Sequence, residues 1–443
     1  MSSGDELLSF ARAALRLAQA AGAQEAAVSV GAGVSVELAQ RDGRLEQATE
    51  SRSRSLSLRL LVDDRYSSHG TADLRTEAVE VFVRRAVAAT RLLEPDPDRA
   101  LPPAEACGEA RGVDLDLWDD QQPAVDPDQR RAALARFEAA VLARRGCASL
   151  RSATVYSGDS RSEGATVFSN GFESFARGTS FGLGASLTLV DAGGRLPEAS
   201  CGHGATHQAD LPGHDALAEE LWSLGLRRLG ARPAPSGRYP MLLEHYAVGR
   251  LLGMLLGPMS GSALHYGRSC LAGRLGQRIG AVGLTLRDEP LLPREAGSRL
   301  ADGDGFPSRP RTLVEGGVLS TYLLGQYFAR RLGMAPTTGS TSNVVLAPGA
   351  RAMEAIAADL PRAIRVESFL GGNANSTTGD FSFGVRGTLL EHGQAAQAVA
   401  EMNIAGNLFD LLERFAEPSS DVHRHGTYLV PSVLFDDIQF SGV

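Results

Sequence analysis

The stretch LLEHYAVGRLLGMLLG, from Leu242 to Gly257, decides how the rest of this chain is interpreted. The apolar positions inside it recur at helical spacing, and they are Val248, Leu251, Leu252, Leu255 and Leu256. That spacing predicts a helix with one buried face. A strand-like run, Tyr239 to Leu243, leads into it, and many short, Gly-rich strand-like runs follow. We therefore expect a β-rich half of the chain built around a central helix, with a short helix near Met353 to Leu360.

The first half of the chain shows a different pattern. Helical periodicity begins near Leu7 and returns at about residues 73–93, 127–145 and 215–229. Between the helices lie β-like runs at residues 26–30, 34–38, 55–62, 153–156 and 165–168. The segment from Ala231 to Gly237 has two prolines and no apolar periodicity, so we place a domain boundary there. The sequence predicts an α+β protein, with an N-terminal α/β domain (1–230) of antiparallel strands and flanking helices, and a C-terminal β-rich domain (238–443).

Composition narrows the class of protein. The chain has 443 residues, 43% of them hydrophobic, and a formal net charge of −8. Nucleic acids and anionic membranes attract basic surfaces, so neither is an expected partner. The sequence has no run of 18 apolar residues, and its start, MSSGDELLSF, lacks the basic segment of a signal peptide. The four cysteines are widely spaced, which is typical of reduced thiols in a cytosolic protein.

The start of the predicted central helix carries part of a zinc-hydrolase pattern. Such a helix places two histidines on adjacent turns of one face, with a glutamate beside the first. Here His245 is present, but Tyr246 stands where the glutamate would be and Arg250 where the second histidine would be. A guanidinium at that position repels a cation. The substitutions at Tyr246 and Arg250 occur within a resemblance that extends over much more of the chain.

Four further segments carry that resemblance. They are residues 304–322 with Arg330 and Gly333 after them, the motif TGDFSFG from Thr378 to Gly384, VAEMNIAGNL from Val399 to Leu408, and GTYLVP from Gly426 to Pro431 with residues 438–442. VAEMNIAGNL is the most specific of these motifs. Together they resemble the TldD/PmbA family of peptidase-related proteins, and the likeness extends more loosely over the N-terminal half.

The resemblance implies a function for a pair of chains. In this family a TldD-like subunit carries HExxxH and the zinc, and a PmbA-like (TldE-like) subunit does not. The degenerate HYAVGR, from His245 to Arg250, places this chain with the second branch. The resemblance thus implies a cytosolic, non-catalytic subunit with no metal or other cofactor of its own. With a TldD-like partner it would form a chamber and hold unfolded or extended peptides by strand addition for proteolysis.

Two histidines are the candidates for a residual metal site. The family's TldD branch takes a further zinc ligand from a cysteine near the C-terminus, and His425 stands roughly in that region. A pair formed by His245 and His425 is therefore one hypothesis. The simpler interpretation is that His245 is a polar residue facing a cavity, and we expect no catalytic or metal-binding residue on this chain.

Other motifs are interpreted as structural. Cys201, His203, His207 and His214 have a spacing that can bind metal, but we expect a Gly-rich loop with incidental histidines. The match to G-x-S-x-G at residues 178–182 is followed by strand-like sequence, which argues against a nucleophile elbow. Asp302 and Asp304 predict a turn, since prolines follow and no glutamate completes a calcium loop. Asp380 either orders a turn or lines the cavity, and the Arg/Ser run 51–55 is the solvated face of a strand.

Two other functions compete with the subunit hypothesis. One is a homodimeric hydrolase that uses an atypical metal site at His245 and His425. Metal bound to the chain alone would favour it. The other is a peptide-binding scaffold without a proteolytic role, which failure to restore activity to any TldD-like partner would favour. The peptide substrate, the cleavage rule and the identity of the partner do not follow from the sequence.

Overall fold

The structure is a computed structural model that describes residues 4–121 and 126–442. Its helices are α1 (Gly4–Ala20), α2 (Thr76–Thr90), α3 (Pro127–Leu142), α4 (His214–Leu226), α5 (His245–Leu256), α6 (Gly261–His265), α7 (Gln326–Leu332), α8 (Met353–Ala358) and α9 (Leu408–Glu413). The strands before residue 237 are β1 (Glu25–Arg41), β2 (Arg44–Val62), β3 (Arg65–Thr71), β4 (Leu150–Phe168), β5 (Glu173–Leu189) and β6 (Glu198–Ala205). The later strands are β7 (Gly237–Leu243), β8 (Leu286–Asp288), β9 (Arg311–Glu315), β10 (Val318–Leu319), β11 (Val344–Leu346), β12 (Arg362–Ala374), β13 (Asp380–Glu391), β14 (Gln394–Asn407), β15 (Phe415–Pro418), β16 (His423–His425), β17 (Tyr428–Val430) and β18 (Val433–Gly442). The predicted α+β class is confirmed.

The first half of the chain forms one antiparallel sheet with helices on one face. Its six strands run in the order β3-β2-β1-β4-β5-β6. Helices α1 and α2 pack over one end of the sheet, where Val28 and Leu58 are fully buried. Helices α3 and α4 pack over the other end, around Trp222 and Leu187. Between these two helix pairs the same face stays uncovered near Ala32 and Val34, and this gap forms a groove.

The strands of this sheet are longer than the sequence suggested. The runs 26–30 and 34–38 were expected as separate strands, and this was wrong, because both lie in β1. Gly31 and Gly33 continue the pairing, opposite Ser55 and Ser53 of β2. A central strand that is hydrogen-bonded to a neighbour on each side stays extended even at glycine positions, which have no side chain. The runs 153–156 and 165–168 are joined in β4 in the same way.

The second half contains two sheets and the predicted central helix. One sheet has the order β10-β9-β8-β11-β17-β16, and the other has β14-β13-β12-β7-β18-β15 with an added β14–β18 pairing that closes it on itself. Helix α5 lies in the largest hydrophobic core, to which it contributes Val248, Leu251 and Leu255. The burial of this face is what the helical spacing predicted.

The segment before β7 packs on the C-terminal sheet. The Arg232 amide donates to the Ala398 carbonyl of β14 at 3.1 Å. The domain boundary at 231–237 stays a prediction. Among the described residues, no helix combines the length and the apolar character needed to cross a bilayer.

Candidate functional site

The candidate site forms where α5 begins. Glu244 is the N-cap residue, and His245 and Tyr246 are the first residues of the helix. The strand β7 ends at Leu243, so the chain turns directly from the C-terminal sheet into the helix. The backbone amide of His245 donates to the Ser432 hydroxyl at 3.2 Å, which satisfies one of the donors that a helix start leaves free. The first turn of α5 is therefore fixed to the residues just before β18.

The short strand β16 brings two more histidines to this helix start. His423 and His425 are two residues apart on β16, so both side chains point to the same side. The His423 ring stacks on the His245 ring, with 3.5 Å between centroids and 4° between planes. The His425 ring lies farther away, with 5.5 Å between its centroid and that of His245.

Helix α4 of the N-terminal half completes the site through Glu220. One carboxylate oxygen of Glu220 accepts a hydrogen bond from the Tyr246 hydroxyl. The other accepts from Nε2 of His203 on β6 at 2.8 Å. Tyr246 also contacts the His425 ring, with centroids 4.3 Å apart. Residues from both halves of the chain thus form one polar cluster, which we call the histidine cluster: His203, Glu220, His245, Tyr246, His423 and His425.

Burial sets the protonation states of His245, His423 and His425, and hydrogen bonds set that of Glu220. Loss of solvent lowers the pKa of His245 to about 3, and the neighbouring His423 and His425 add to the effect. Burial also lowers the pKa of His423 and of His425. Burial opposes ionisation of Glu220, but its hydrogen bonds from His203 and Tyr246 outweigh this and lower its pKa. The stacked rings are therefore neutral at pH 7, and the Glu220 carboxylate is ionised.

A layer of buried charge lies beneath the cluster. Nε of Arg227, at the end of α4, lies 2.8 Å from a carboxylate oxygen of Glu367 on β12. The same guanidinium and that of Arg365 each lie 3.4 Å from Glu244. Glu367 is 3% exposed and Glu244 is 7% exposed. Burial raises the pKa of Glu244, and Arg227 counters that effect. These pairs join the two halves of the chain next to His245.

The residues at the start of α5 do not fit a tetrahedral zinc site. A zinc-bound imidazole directs a lone pair along its own ring plane, and the parallel planes of His245 and His423 do not converge on a common point. Arg250 replaces the second histidine. Its guanidinium lies 5.0 Å from the Phe383 ring centroid and reaches toward the Gly372 carbonyl. Within 4–121 and 126–442, no three His, Cys, Asp or Glu side chains are grouped so as to hold a metal ion.

One feature of the cluster still favours a ligand. Nε2 of His425 is buried and has no hydrogen-bond partner among the described residues. Burying a ring nitrogen costs free energy of solvation, and without a partner no hydrogen bond compensates for that cost. His245 and His425 do lie in one cluster, as the sequence hypothesis required, but whether they bind a metal stays open to experiment.

The second Cys/His group does not form a site. The expectation of a loop for Cys201 and His203 was wrong, because both lie in β6. Their sequence alternates small and polar residues that pair with β5 in regular register, from Glu198 to Ala205. The Cys201 thiol is buried against α4, which raises its pKa to about 12. His207 contacts the Asp116 carbonyl at 2.9 Å, and His214 stacks on Phe137, so the four residues point to different partners.

The remaining motifs are structural. Ser180 of the G-x-S-x-G match lies within β5, in agreement with the strand expected there. Asp302 accepts hydrogen bonds from the amides of Asp304 and Phe306, so it orders a turn as predicted. Asp380 is exposed and accepts from the Thr378 hydroxyl at 2.6 Å and from the Asn407 side chain at 2.9 Å. The sequence left two roles open for Asp380, ordering a turn or lining the cavity. These contacts match the first role, although the hydrogen bonds come from side chains and not from backbone amides.

Half of the histidine cluster was not predicted from the sequence. His423 was not considered, although the pattern H-x-H at 423–425 predicts two imidazoles on one side of a strand. His203 was considered only as part of the Cys/His group. Glu220 gives no local signal, because nothing in α4 shows that it will face a helix from the other half of the chain.

Comparison with known proteins agrees with this architecture. A family model for the PmbA/TldA metallopeptidase C-terminal domain matches residues 236–442. A second model, for PmbA/TldA metallopeptidase domain 1, matches residues 26–90. The metalloprotease PmbA of Escherichia coli O157:H7 is 26% identical over 423 residues, which are 94% of this chain and 92% of that protein.

Solved structures show the same fold. A candidate modulator of DNA gyrase from Bacteroides thetaiotaomicron superimposes with a TM-score of 0.94 at 30% identity, covering 98% of both chains. TldE from Thermococcus kodakarensis superimposes with a TM-score of 0.85 at 20% identity, covering 98% of this chain and 100% of that one. The likeness to TldE shows the fold alone. Since the two family models match residues 26–90 and 236–442 and the PmbA relative aligns over nearly all of the sequence, this chain belongs to the PmbA/TldD metallopeptidase family as a PmbA-like member.

Proposed function

We propose that this chain is a non-catalytic, PmbA/TldE-like subunit of a TldD/TldE-type zinc metallopeptidase. A TldD-like partner carries the zinc, and the two subunits enclose a chamber in the cytoplasm. The chain holds extended peptides there for hydrolysis. One observation carries the proposal: the ring that a zinc helix would present to the metal, His245, is stacked flat on His423.

The contacts of the neighbouring residues support the same conclusion. A general base beside a zinc must be free to accept a proton from water. Its position is held here by Tyr246, whose hydroxyl is bonded to Glu220 and whose pKa is raised by burial and by that carboxylate. Arg250 places a permanent positive charge where the second ligand would stand. This helix start thus has neither the base nor the second ligand.

Metal analysis of the purified chain tests the proposal. The chain is measured alone and after mixing with its TldD-like partner, in each case by elemental zinc content and by hydrolysis of an unfolded peptide. We expect no zinc on the chain alone, about one zinc per heterodimer, and activity only in the mixture. A stoichiometric zinc on the chain alone would overturn the proposal.

The unpartnered Nε2 of His425 favours a second candidate, a homodimeric hydrolase with an atypical metal site. That function requires the stacked rings to separate so that His245 and His425 face one ion. It predicts that the chain alone binds zinc and that His425→Ala abolishes this binding. Tyr266→Phe, at an exposed position, is a matched control that leaves the cluster unchanged.

A further inference from the structure

The central helix α5 carries a groove along its solvent-facing side. Gly249, Gly253 and Gly257 follow one another at a spacing of four residues, so they lie on one face of the helix. A Cβ atom added at Gly253 would meet no heavy atom within 4 Å. Because glycine has no side chain, a ligand can approach the backbone of the helix closely along this face.

The hairpin between β12 and β13 forms much of the other side of this groove, which we call the α5 groove. The lining residues beyond the helix are Pro258, Ala374, Asn375, Ser376, Gly379 and Leu408. Its volume is about 370 Å³, which is within the range of small-ligand sites. Two turns of a helix, about 10 Å wide and about 11 Å long, occupy roughly 850 Å³. The size of the groove therefore suits a short segment with small side chains better than a helix of a partner.

The α5 groove has one charged side chain. Among the described residues that line it, Arg250 alone is charged. Its guanidinium lies 5.0 Å from the centroid of the buried Phe383 ring and donates to the Gly372 carbonyl at 3.4 Å. An aromatic ring attracts a cation over its face without neutralising it. No carboxylate of the described residues forms an ion pair with Arg250, so its charge remains available to a ligand.

The carboxylate of Asp380, which follows the lining residue Gly379, does not offset this charge. Asp380 accepts hydrogen bonds from the Thr378 hydroxyl and the Asn407 side chain. It is three residues from Phe383 on β13, which corresponds to about 10 Å along an extended strand. Salt largely screens two exposed charges at about that distance. A negatively charged ligand at Arg250 would therefore meet little repulsion from Asp380.

We infer that the α5 groove is a carboxylate subsite, in which Arg250 binds the carboxylate of a short peptide segment. The segment lies with small residues against the glycine face of α5, and its carboxylate is either a C-terminus or an Asp or Glu side chain. A guanidinium can donate two parallel hydrogen bonds to such a group. The inference rests on the proposed function and adds a subsite to it. Hydrolysis of a peptide bond leaves a new C-terminal carboxylate on one product, which is one source of the ligand.

Calorimetric titration of the full chain with three acetylated tripeptides tests this inference. The first is Ala-Gly-Ala with a free C-terminal carboxylate, and the second is the same peptide as a C-terminal amide. The third is Ala-Asp-Ala as a C-terminal amide, whose carboxylate belongs to the side chain. We expect at least one of the two carboxylate peptides to bind, and the uncharged amide to bind at least tenfold more weakly. The carboxylate peptide that binds identifies the source of the ligand.

Two kinds of variant locate the site. Arg250→Met removes the charge and should weaken binding of the carboxylate peptide about tenfold or more, whereas Arg250→Lys keeps the charge and should bind more tightly than Arg250→Met. Gly253→Leu leaves the charge in place and fills the groove, so it should also abolish binding. The space at Gly253 is open and leucine is favoured over glycine in a helix, so this variant should fold normally.

Arg177→Met is the matched control. Arg177 is also exposed, and its guanidinium lies 4.9 Å from the centroid of the Trp118 ring, in the other half of the chain. It is thus a second cation over an aromatic ring, but it does not line the α5 groove. We expect this variant to bind the carboxylate peptide as the parent chain does.

Several results would overturn the inference. They are the absence of binding by both carboxylate peptides, equal binding of the uncharged amide, unchanged binding in Arg250→Met or Gly253→Leu, equal losses in Arg250→Lys and Arg250→Met, and an equal loss in Arg177→Met. Loss of binding on addition of the TldD-like partner would also overturn it, since the groove would then be a contact between subunits. None of these results affects where the zinc resides, which decides the proposed function separately.

Discussion

The imidazole of His245, the first residue of α5, lies flat against that of His423 on β16, with 3.5 Å between the ring centroids. The two rings belong to different elements of the C-terminal half, and Tyr246 beside them is bonded to Glu220 of the N-terminal half. The position that a zinc helix uses for chemistry is used here for contacts between elements. The site therefore contributes to stability. We expect variants of its residues to change the free energy of unfolding more than the peptidase activity.

His245→Ala should leave the peptidase activity of the proposed complex within about tenfold, because the proposed function assigns no chemical step to this ring. The variant loses a stacked, partly buried imidazole and should be destabilised by about 1–2 kcal/mol. Peptide hydrolysis by the mixture with the TldD-like partner, with urea unfolding of the same sample, measures both quantities. A loss of several orders of magnitude in activity with intact folding would contradict the non-catalytic role.

Tyr246→Glu, which restores the acid of the zinc-helix pattern, should destabilise the chain by about 2–4 kcal/mol at pH 7. The new carboxylate would lie next to the carboxylate of Glu220, which in the parent chain accepts a hydrogen bond from the Tyr246 hydroxyl. The two like charges would repel each other. Adding Glu220→Gln to the same chain should recover most of the loss, since one of the two like charges is removed. Urea unfolding of the single and double variants measures this coupling.

Tyr246→Phe is the matched control for that pair. It keeps the ring contact with His425 and removes only the donor, so it should cost about 1–2 kcal/mol. If Tyr246→Glu proved as stable as the parent chain, the Glu220 contact would not exist in solution.

The fold class and the central helix could be predicted from the sequence because both depend on local periodicity. The buried face of α5 follows from Val248, Leu251 and Leu255 alone. The length of β1 could not be predicted, because Gly31 and Gly33 have no local preference for a strand. Pairing with β2 and β4 on both sides holds them extended, and pairing is a long-range property.

The site was only half predictable for a related reason. His245 was found because it lies in a motif. His203 and Glu220 belong to a strand and a helix of the other half of the chain, and they join the cluster through the hydrogen bonds of Glu220. No spacing pattern in the sequence predicts such a long-range contact. Even His423 needed the structure, since the family's pattern pointed to its neighbour His425.

Arg227→Met should destabilise the chain by about 3 kcal/mol or more, because it removes the nearest cation from Glu367, which is 3% exposed. Arg351→Met is the matched control. Arg351 forms two short ion pairs, with Asp359 at 2.5 Å and Glu417 at 2.6 Å, but its side chain is 42% exposed. Exposed pairs contribute little, so its loss should cost about 1 kcal/mol or less. Equal costs for the two variants in urea unfolding would show that the Arg227 pair is solvated.

The stability of the chain should fall as the pH falls from about 6.5, because burial holds the pKa of His245 at about 3 in the folded state. Between those values the unfolded chain binds a proton at this residue and the folded chain does not, so unfolding is favoured as the pH falls. From pH 7.5 to pH 5, His245 alone should account for a loss of about 2 kcal/mol. His423 and His425, whose pKa values burial also lowers, should add to it. Urea unfolding at the two pH values measures the loss, and His245→Ala should reduce it by about 2 kcal/mol. An unchanged pH dependence in that variant would mean that His245 is solvated, and that the stack with His423 does not persist in solution.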